Sequence, residues 1–253
     1  MSAMSALTRT FIAAVLVGGA LVMSSAIGAG VTDDVVTATR LAELLRAGRS
    51  IISNYQTLIN DPALGDKHLD GERIAREAIV AYSKHTGHDP LSGELTERDR
   101  RLLEAQIEAM REVVNEQQDN INRSGTAFKG FVPAVFARLM NDKFAAKAGS
   151  EARVRVTAPE QLVRNRKSLP DAWEAQIIKS VLLDRQRAKG EAYTEVTAVD
   201  GRQAFRMLLP EYYTGSCLSC HGEPKGEIDV TGYPKEGGKA GDLGGAISIV
   251  LFK

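Results

Sequence analysis

Between Thr32 and about Gly149 the apolar residues recur at helical spacing. Leu41, Leu45, Gly48, Ile52, Tyr55 and Ile59 follow one another at alternating gaps of four and three, and Leu103, Ile107, Met110, Val114, Gln117 and Ile121 repeat that rhythm. Each set lays one stripe along a long helix, so packing against partner helices is expected. The segment NDPALGD (60–66) breaks the first helix, because Asp61-Pro62 disfavours continuation. A shorter helix, ERIAREAIVAYSKH (72–85), is stopped by TGHDPLSGELT. Thr96 with Asp99 starts the next in capping-box fashion, Asp replacing the usual Glu or Gln. A fourth, PAVFARLMNDKFAAKAG, begins on Pro133 and ends at Gly149.

After residue 150 the period changes. ARVRVTA alternates polar and apolar positions and predicts a strand, and PDAWEAQIIKSVLLDRQRAKG (170–190) predicts a helix with Pro170 near its start and Gly190 past its end. EAYTEVTAV, RQAFRMLLP and GAISIVLF predict further strands, the first two joined through Asp200-Gly201, a hairpin signal. One helix among antiparallel strands makes this half a small α+β domain. The expected division is a leader or anchor over 1–30, a helical region over 31–149 and the α+β domain over 150–253.

The first residues have a different character. One positive charge, Arg9, precedes the uncharged run from Phe11 to Met23, and small residues follow before a cut after Ala26 or Gly28. This is the pattern of a secretory signal peptide. Its strongly apolar part is shorter than the roughly 20 residues a membrane span needs, so export and cleavage are expected, with a retained anchor as the rival. The predicted location is periplasmic.

Composition adds an exclusion. Lys+Arg and Asp+Glu both number 32 in 253 residues, giving no net charge, and no basic block speaks for nucleic acid. Two cysteines in an exported chain would ordinarily form a disulfide. Here they are Cys217 and Cys220, with His221 directly after. In C-x-x-C-H the thiols add across the two vinyl groups of one haem and the histidine reaches the iron. Positions i and i+3 share one side of a helical turn, and i+4 directs the imidazole to the metal. A zinc site lacks tandem Cys spacing among His68, His85 and His88, and a thioredoxin-type disulfide belongs early in a βαβ unit.

The segments VRNRKSLPDAWE (163–174), CLSCHGEP and YPKEGGKAGDLGGAISI (233–249) resemble a family of c-type haem domains with a PAS-like fold, found as single-haem cytochromes and as periplasmic parts of membrane sensors. The likeness is strongest over 150–253 and extends more loosely through RAGRSIISNYQTLINDP and GTAFKGFVPAVFARL. It implies an α+β fold in which a long-helix bundle packs on a PAS-like antiparallel sheet carrying one covalent haem c. By the same resemblance Cys217 and Cys220 carry the thioethers and His221 is the proximal ligand.

Some members of that family supply a cysteine as sixth ligand, and this chain has none to spare. The loosely matching stretch AFKGFVP brings Lys129 forward as a distal candidate, with a surface lysine as the plainer reading. Met207 is a second candidate, although a Met between Phe205 and Leu209 more often fills a core. An open sixth position is a further alternative. Arg164 and Asn165 are expected either to hold a haem propionate or to act as a surface ion pair and a cap. Phe131 and Trp173 are expected in the core against the porphyrin, Tyr212 and Tyr213 at the haem edge, and the glycines of EGGKAGDLGG in a flexible return loop.

Three functions compete: a one-electron carrier serving a redox partner protein, a redox or gas sensor acting through a membrane signalling partner, and an enzyme. With only Lys253 after the last expected strand, any signal is expected to pass to another polypeptide. A peroxidase or nitrogen-oxide reductase needs a distal acid–base group such as His, and no histidine has a motif placing it there. The carrier ranks first and the enzyme last.

Overall fold

The computed structural model describes residues 21–253, with side chains from residue 33 onward. Of the leader or anchor expected over 1–30, the first part lies outside the described residues, and the rest is the start of helix α1 (Leu21–Asn54). Among the described residues no helix is long and apolar enough to cross a membrane.

The helical half follows the hydrophobic rhythm closely. After α1 the chain kinks at Tyr55 into the single turn α2 (Gln56–Ile59). Helix α3 (Gly71–Thr86) is capped by Asp70, whose carboxylate accepts from the Arg73 N–H, and closes on Gly87 in the left-handed conformation. Helix α4 (Glu97–Glu116) starts where the Thr96 hydroxyl accepts from the Asp99 N–H, as its sequence predicts. The turn α5 (Gln118–Ile121) follows, and α6 (Pro133–Ala148) opens on its proline.

Four antiparallel strands make one sheet in the order β1-β4-β3-β2: β1 (Ala152–Thr157), β2 (Tyr193–Val199), β3 (Arg202–Tyr212) and β4 (Leu243–Phe252). The β2–β3 hairpin turns on Asp200 and Gly201, both at positive φ (51° and 77°), the backbone that matches the right-handed strand twist. The central strands β3 and β4 pair from Ala204↔Phe252 to Pro210↔Ala246 and are buried on both faces.

Strand alternation separates the two faces. Phe205, Met207, Leu209, Ile247, Ile249 and Leu251 join the helices in one continuous core. On the opposite face Leu208 and Ala246 pack against Ile177, Ile178 and Leu182. Those three belong to α7 (Ala172–Ile177) and the wider π turn that extends it over Ile178–Leu182. The helix expected to run up to Gly190 therefore ends at Leu182, seven residues short. Beyond Leu182 the sequence offers no apolar residue that stays covered: Leu183 is exposed, and Asp184 accepts from the Gln186 N–H in a local turn. The arrangement is mixed α+β, with eight α-helices and one four-stranded antiparallel sheet among the described residues.

Candidate functional site

At the end of β3 the pairing register slips between Glu211 and Tyr212, and the chain leaves the sheet at Tyr213. A 3-10 turn over Gly215–Cys217 leads into the one-turn helix α8 (Leu218–His221), so both cysteines and the histidine ride on about two helical turns. Gly222 ends the helix, its N–H donating to the Leu218 carbonyl. Cys217 and Cys220 are half-buried free thiols, not a disulfide.

The loop that follows is strongly tied. Gly237 and Gly238 donate their N–H groups to the carbonyls of Gly222 and His221 at 3.1 and 2.8 Å. The Tyr213 N–H donates to the Asp242 carbonyl and the Tyr213 carbonyl accepts from the Gly241 N–H. The return loop expected from its glycines is present, but hydrogen bonds pin it to the motif. Tyr213 lies inside this loop, 8% exposed, with its ring stacked on His221 at 5.1 Å between centroids and 16° between planes. Burial, then the Glu236 charge, push its phenol up to about 12. Its hydroxyl is buried with no hydrogen-bond partner.

His221 donates from Nδ1 to Glu236 Oε2 at 2.8 Å, so Nε2 is the nitrogen left to face a metal. Arg164 holds Glu236 from behind: Nε reaches Oε1 at 2.8 Å and one terminal nitrogen reaches Oε2 at 3.1 Å. The same guanidinium donates to Asp229 at 2.6 Å and to the Cys220 carbonyl at 2.8 Å, and it covers the Tyr233 ring. Burial alone would raise the Glu236 carboxyl, but the hydrogen bonds from Arg164 and His221 outweigh it and hold the group below the usual carboxylate range. Asp229 is shifted down as well: burial again opposes, and Thr231 and Arg164 prevail.

These contacts sort the residues singled out in the sequence. Cys217, Cys220, His221, Tyr213 and Arg164 come together. Arg164, however, is engaged by two carboxylates and the motif backbone, so it acts as the brace of the site and not as a free propionate partner. Asn165 caps the short turn Arg166–Ser168 through the Lys167 N–H. Phe131 is buried edge-on to Phe136 in the helical core. Met207 points to the same core, within 4.0 Å of the Thr39 hydroxyl, because its strand position faces α1. Lys129 is not a surface lysine. It is 7% exposed, and its ammonium donates to the Ile59 and Asp61 carbonyls past the end of α2.

Three participants escaped the sequence reading: Glu236, Asp229 and Tyr233. Glu236 lies inside YPKEGGKAGDLGG, a segment whose likeness pointed to the site without assigning the residue a role. An open groove of about 450 Å³ lies beside the motif, its wall including Val163, Arg164, Lys225, Tyr233 and Glu236. Among the described residues no group of three or more His, Cys, Asp or Glu side chains is arranged to hold a metal ion directly. The donor set fits a prosthetic group instead: two unpaired thiols, one imidazole with its outer nitrogen fixed, and an orphaned phenol hydroxyl alongside.

A helical layer on a four-stranded antiparallel sheet, with a C-x-x-C-H turn leaving the third strand, defines the class of domain. The chain belongs to the Tll0287-like family, whose model matches residues 92–251. That span takes in α4, α6, the sheet up to Leu251 and the motif. No curated protein and no solved structure matches the chain.

Proposed function

We propose that this chain is an exported single-haem c-type cytochrome that passes one electron to and from a partner protein. Cys217 and Cys220 would hold the porphyrin, and His221 would ligate its iron through Nε2. The haem would supply the ferric/ferrous couple. The observation that carries the reading is the fixed His221 ring: Nδ1 committed to Glu236 at 2.8 Å, one face covered by Tyr213, on the turn that holds two free thiols. Membership of the Tll0287-like family is compatible with a haem-binding domain. The PAS-like character of the sheet belongs to the same proposal, with α7 covering the face away from the helical layer. Periplasmic location follows from the leader-like N-terminus, and the partner is then a periplasmic or membrane-held redox protein.

The test is expression alongside a haem-attachment system, followed by the alkaline pyridine spectrum and a haem stain of the denatured chain. Covalent haem c at one per chain is expected, lost in Cys217→Ala and Cys220→Ala. Its absence from the wild-type chain would end this reading.

One contact favours sensing as a second reading. Glu211, two residues before Tyr213, accepts from Arg46 and Arg49 of α1 at 2.5 and 2.6 Å, and Arg46 also donates to the Pro210 carbonyl. A shift at the motif would reach the long helix directly. A ferrous form that binds CO or NO with a changed α1 would favour the sensor, and a gas-indifferent six-coordinate spectrum would favour the carrier.

A further inference from the structure

We infer that Glu236 is the positioning residue of the His221 ligand: its carboxylate fixes the Nδ1–H tautomer, presents Nε2 to the iron and strengthens that nitrogen as a donor. The inference deepens the haem reading above and rests on it. A histidine chooses which nitrogen carries its proton according to the hydrogen bond it can make, and an anionic acceptor at Nδ1 increases the basicity of Nε2. In this chain the acceptor is a side-chain carboxylate at 2.8 Å. Both its oxygens are held by the Arg164 guanidinium, so the acceptor cannot swing away. Arg164 is itself anchored on Asp229, whose side chain is fully buried, and on the Cys220 carbonyl within the motif. The backbone supports the same geometry, because the loop carrying Glu236 is hydrogen-bonded to His221 and Gly222 through Gly238 and Gly237. The result is a chain of direct contacts, Asp229–Arg164–Glu236–His221, which ends on Nδ1 and leaves Nε2 as the nitrogen that would meet the metal.

A more basic ligand favours ferric over ferrous iron. In Glu236→Gln the side chain keeps its size and can still accept, but the anion is gone. The ferrous form should gain at least tenfold, a rise in reduction potential of about 59 mV for one electron. Glu227→Gln removes one negative charge from the same loop at an exposed ion pair with Lys235 (3.1 Å), away from the Arg164–Glu236–His221 contacts. It should move the ferric/ferrous balance less than twofold. An unchanged potential in Glu236→Gln, or an equal shift in Glu227→Gln, would overturn the inference. A second measurement does not depend on haem. In the full chain without haem, nitrogen-15 NMR of the imidazole should show His221 as the Nδ1–H tautomer, and as a mixture in Glu236→Gln. Finding Nε2–H in the wild type would also overturn it. A wild-type chain that takes up no haem c defeats the cytochrome reading instead, and the tautomer measurement then decides the role of Glu236 separately.

Discussion

Tyr213 lies ring on ring with His221, and the space for that stack is made by two missing side chains. A Cβ on Gly244 would come within 2.3 Å of the Tyr213 ring, and one on Gly238 within 2.5 Å of it and 3.0 Å of the His221 carbonyl. Both are far inside the closest approach real side chains make. Gly244→Ala must therefore displace the tyrosine, and with it the surface on which the histidine rests. Overpacking of this kind costs about 1–3 kcal/mol. The expected outcome is a lower thermal midpoint together with a lower haem-to-protein ratio, read from the melt and the pyridine spectrum. A variant with wild-type values for both would show that the stack does not organise the site.

Acid should loosen this loop through Asp229. Its carboxylate accepts from Arg164 at 2.6 Å, from the Thr231 N–H at 2.7 Å and from the Thr231 hydroxyl at 2.6 Å. Burial opposes ionisation, but these donors hold the carboxyl well below its usual range when folded. A lowered folded value means that the unfolded chain binds the proton first. The stabilisation is thus fully present above the unfolded value, about 3.9, and is lost as pH falls through the range beneath it. Hydrogen bonds to a charged group contribute roughly 1.5–3 kcal/mol. Asp229→Asn should be less stable by an amount in that range at pH 7. The gap between the two melting curves should close as pH falls below about 4.

Periodicity carried most of the framework, and contact chemistry carried little of the site. The stripes through Leu41–Ile59 and Leu103–Ile121 are the helical core, and the alternation around Phe205, Met207 and Leu209 sorts the two faces of the sheet. Cys217, Cys220 and His221 were legible because their chemistry is written at fixed local spacing. Glu236 was not, because it stands in a glycine-rich loop with no period, and its contact with His221 exists only once the loop has folded back. Arg164 drew notice as a charge near the site, yet its role depends on two carboxylates more than sixty residues further along. The far end of the 170–190 segment misled for a different reason. Good helix formers continue past Leu182, but no apolar face remains there to hold a helix on the sheet.

Lys129 offers a direct check on what sits opposite His221. Burial and the neighbouring Lys67 hold its ammonium below the usual lysine range, the direction a metal-ligating amine requires. Its donors are nevertheless spent on Ile59 and Asp61 carbonyls, and its backbone N–H goes to the Asn60 side chain. Lys129→Leu removes these bonds without supplying a ligating atom, leaving carbonyls unpaired at a cost of about 1–3 kcal/mol. The melt should shift down while the ferric and ferrous absorption bands stay in place. A change in the bands would identify the lysine as an iron ligand.

The segment Pro170-Asp171-Ala172-Trp173-Glu174 has a mechanical role that can be taken apart by substitution. Asp171 caps α7, accepting from the Glu174 N–H at 2.8 Å while the Glu174 carboxylate accepts from the Asp171 N–H. The same Asp171 carboxylate accepts from Arg206 of β3 at 2.6 Å, and that guanidinium lies 4.0 Å over the Trp173 ring. One residue thus starts the helix and ties it to the sheet. Asp171→Ala loses both functions and should cost about 2–4 kcal/mol, a cap together with one partner of the largely buried Arg206. Asp171→Asn retains a good capping residue but loses the charge, so only the second part should be lost, about 1 kcal/mol given that Glu174 still lies 3.6 Å from the guanidinium. Denaturant unfolding of both variants separates the contributions. Equal losses would mean that the ion pair, and not the cap, holds α7 over this face of the sheet.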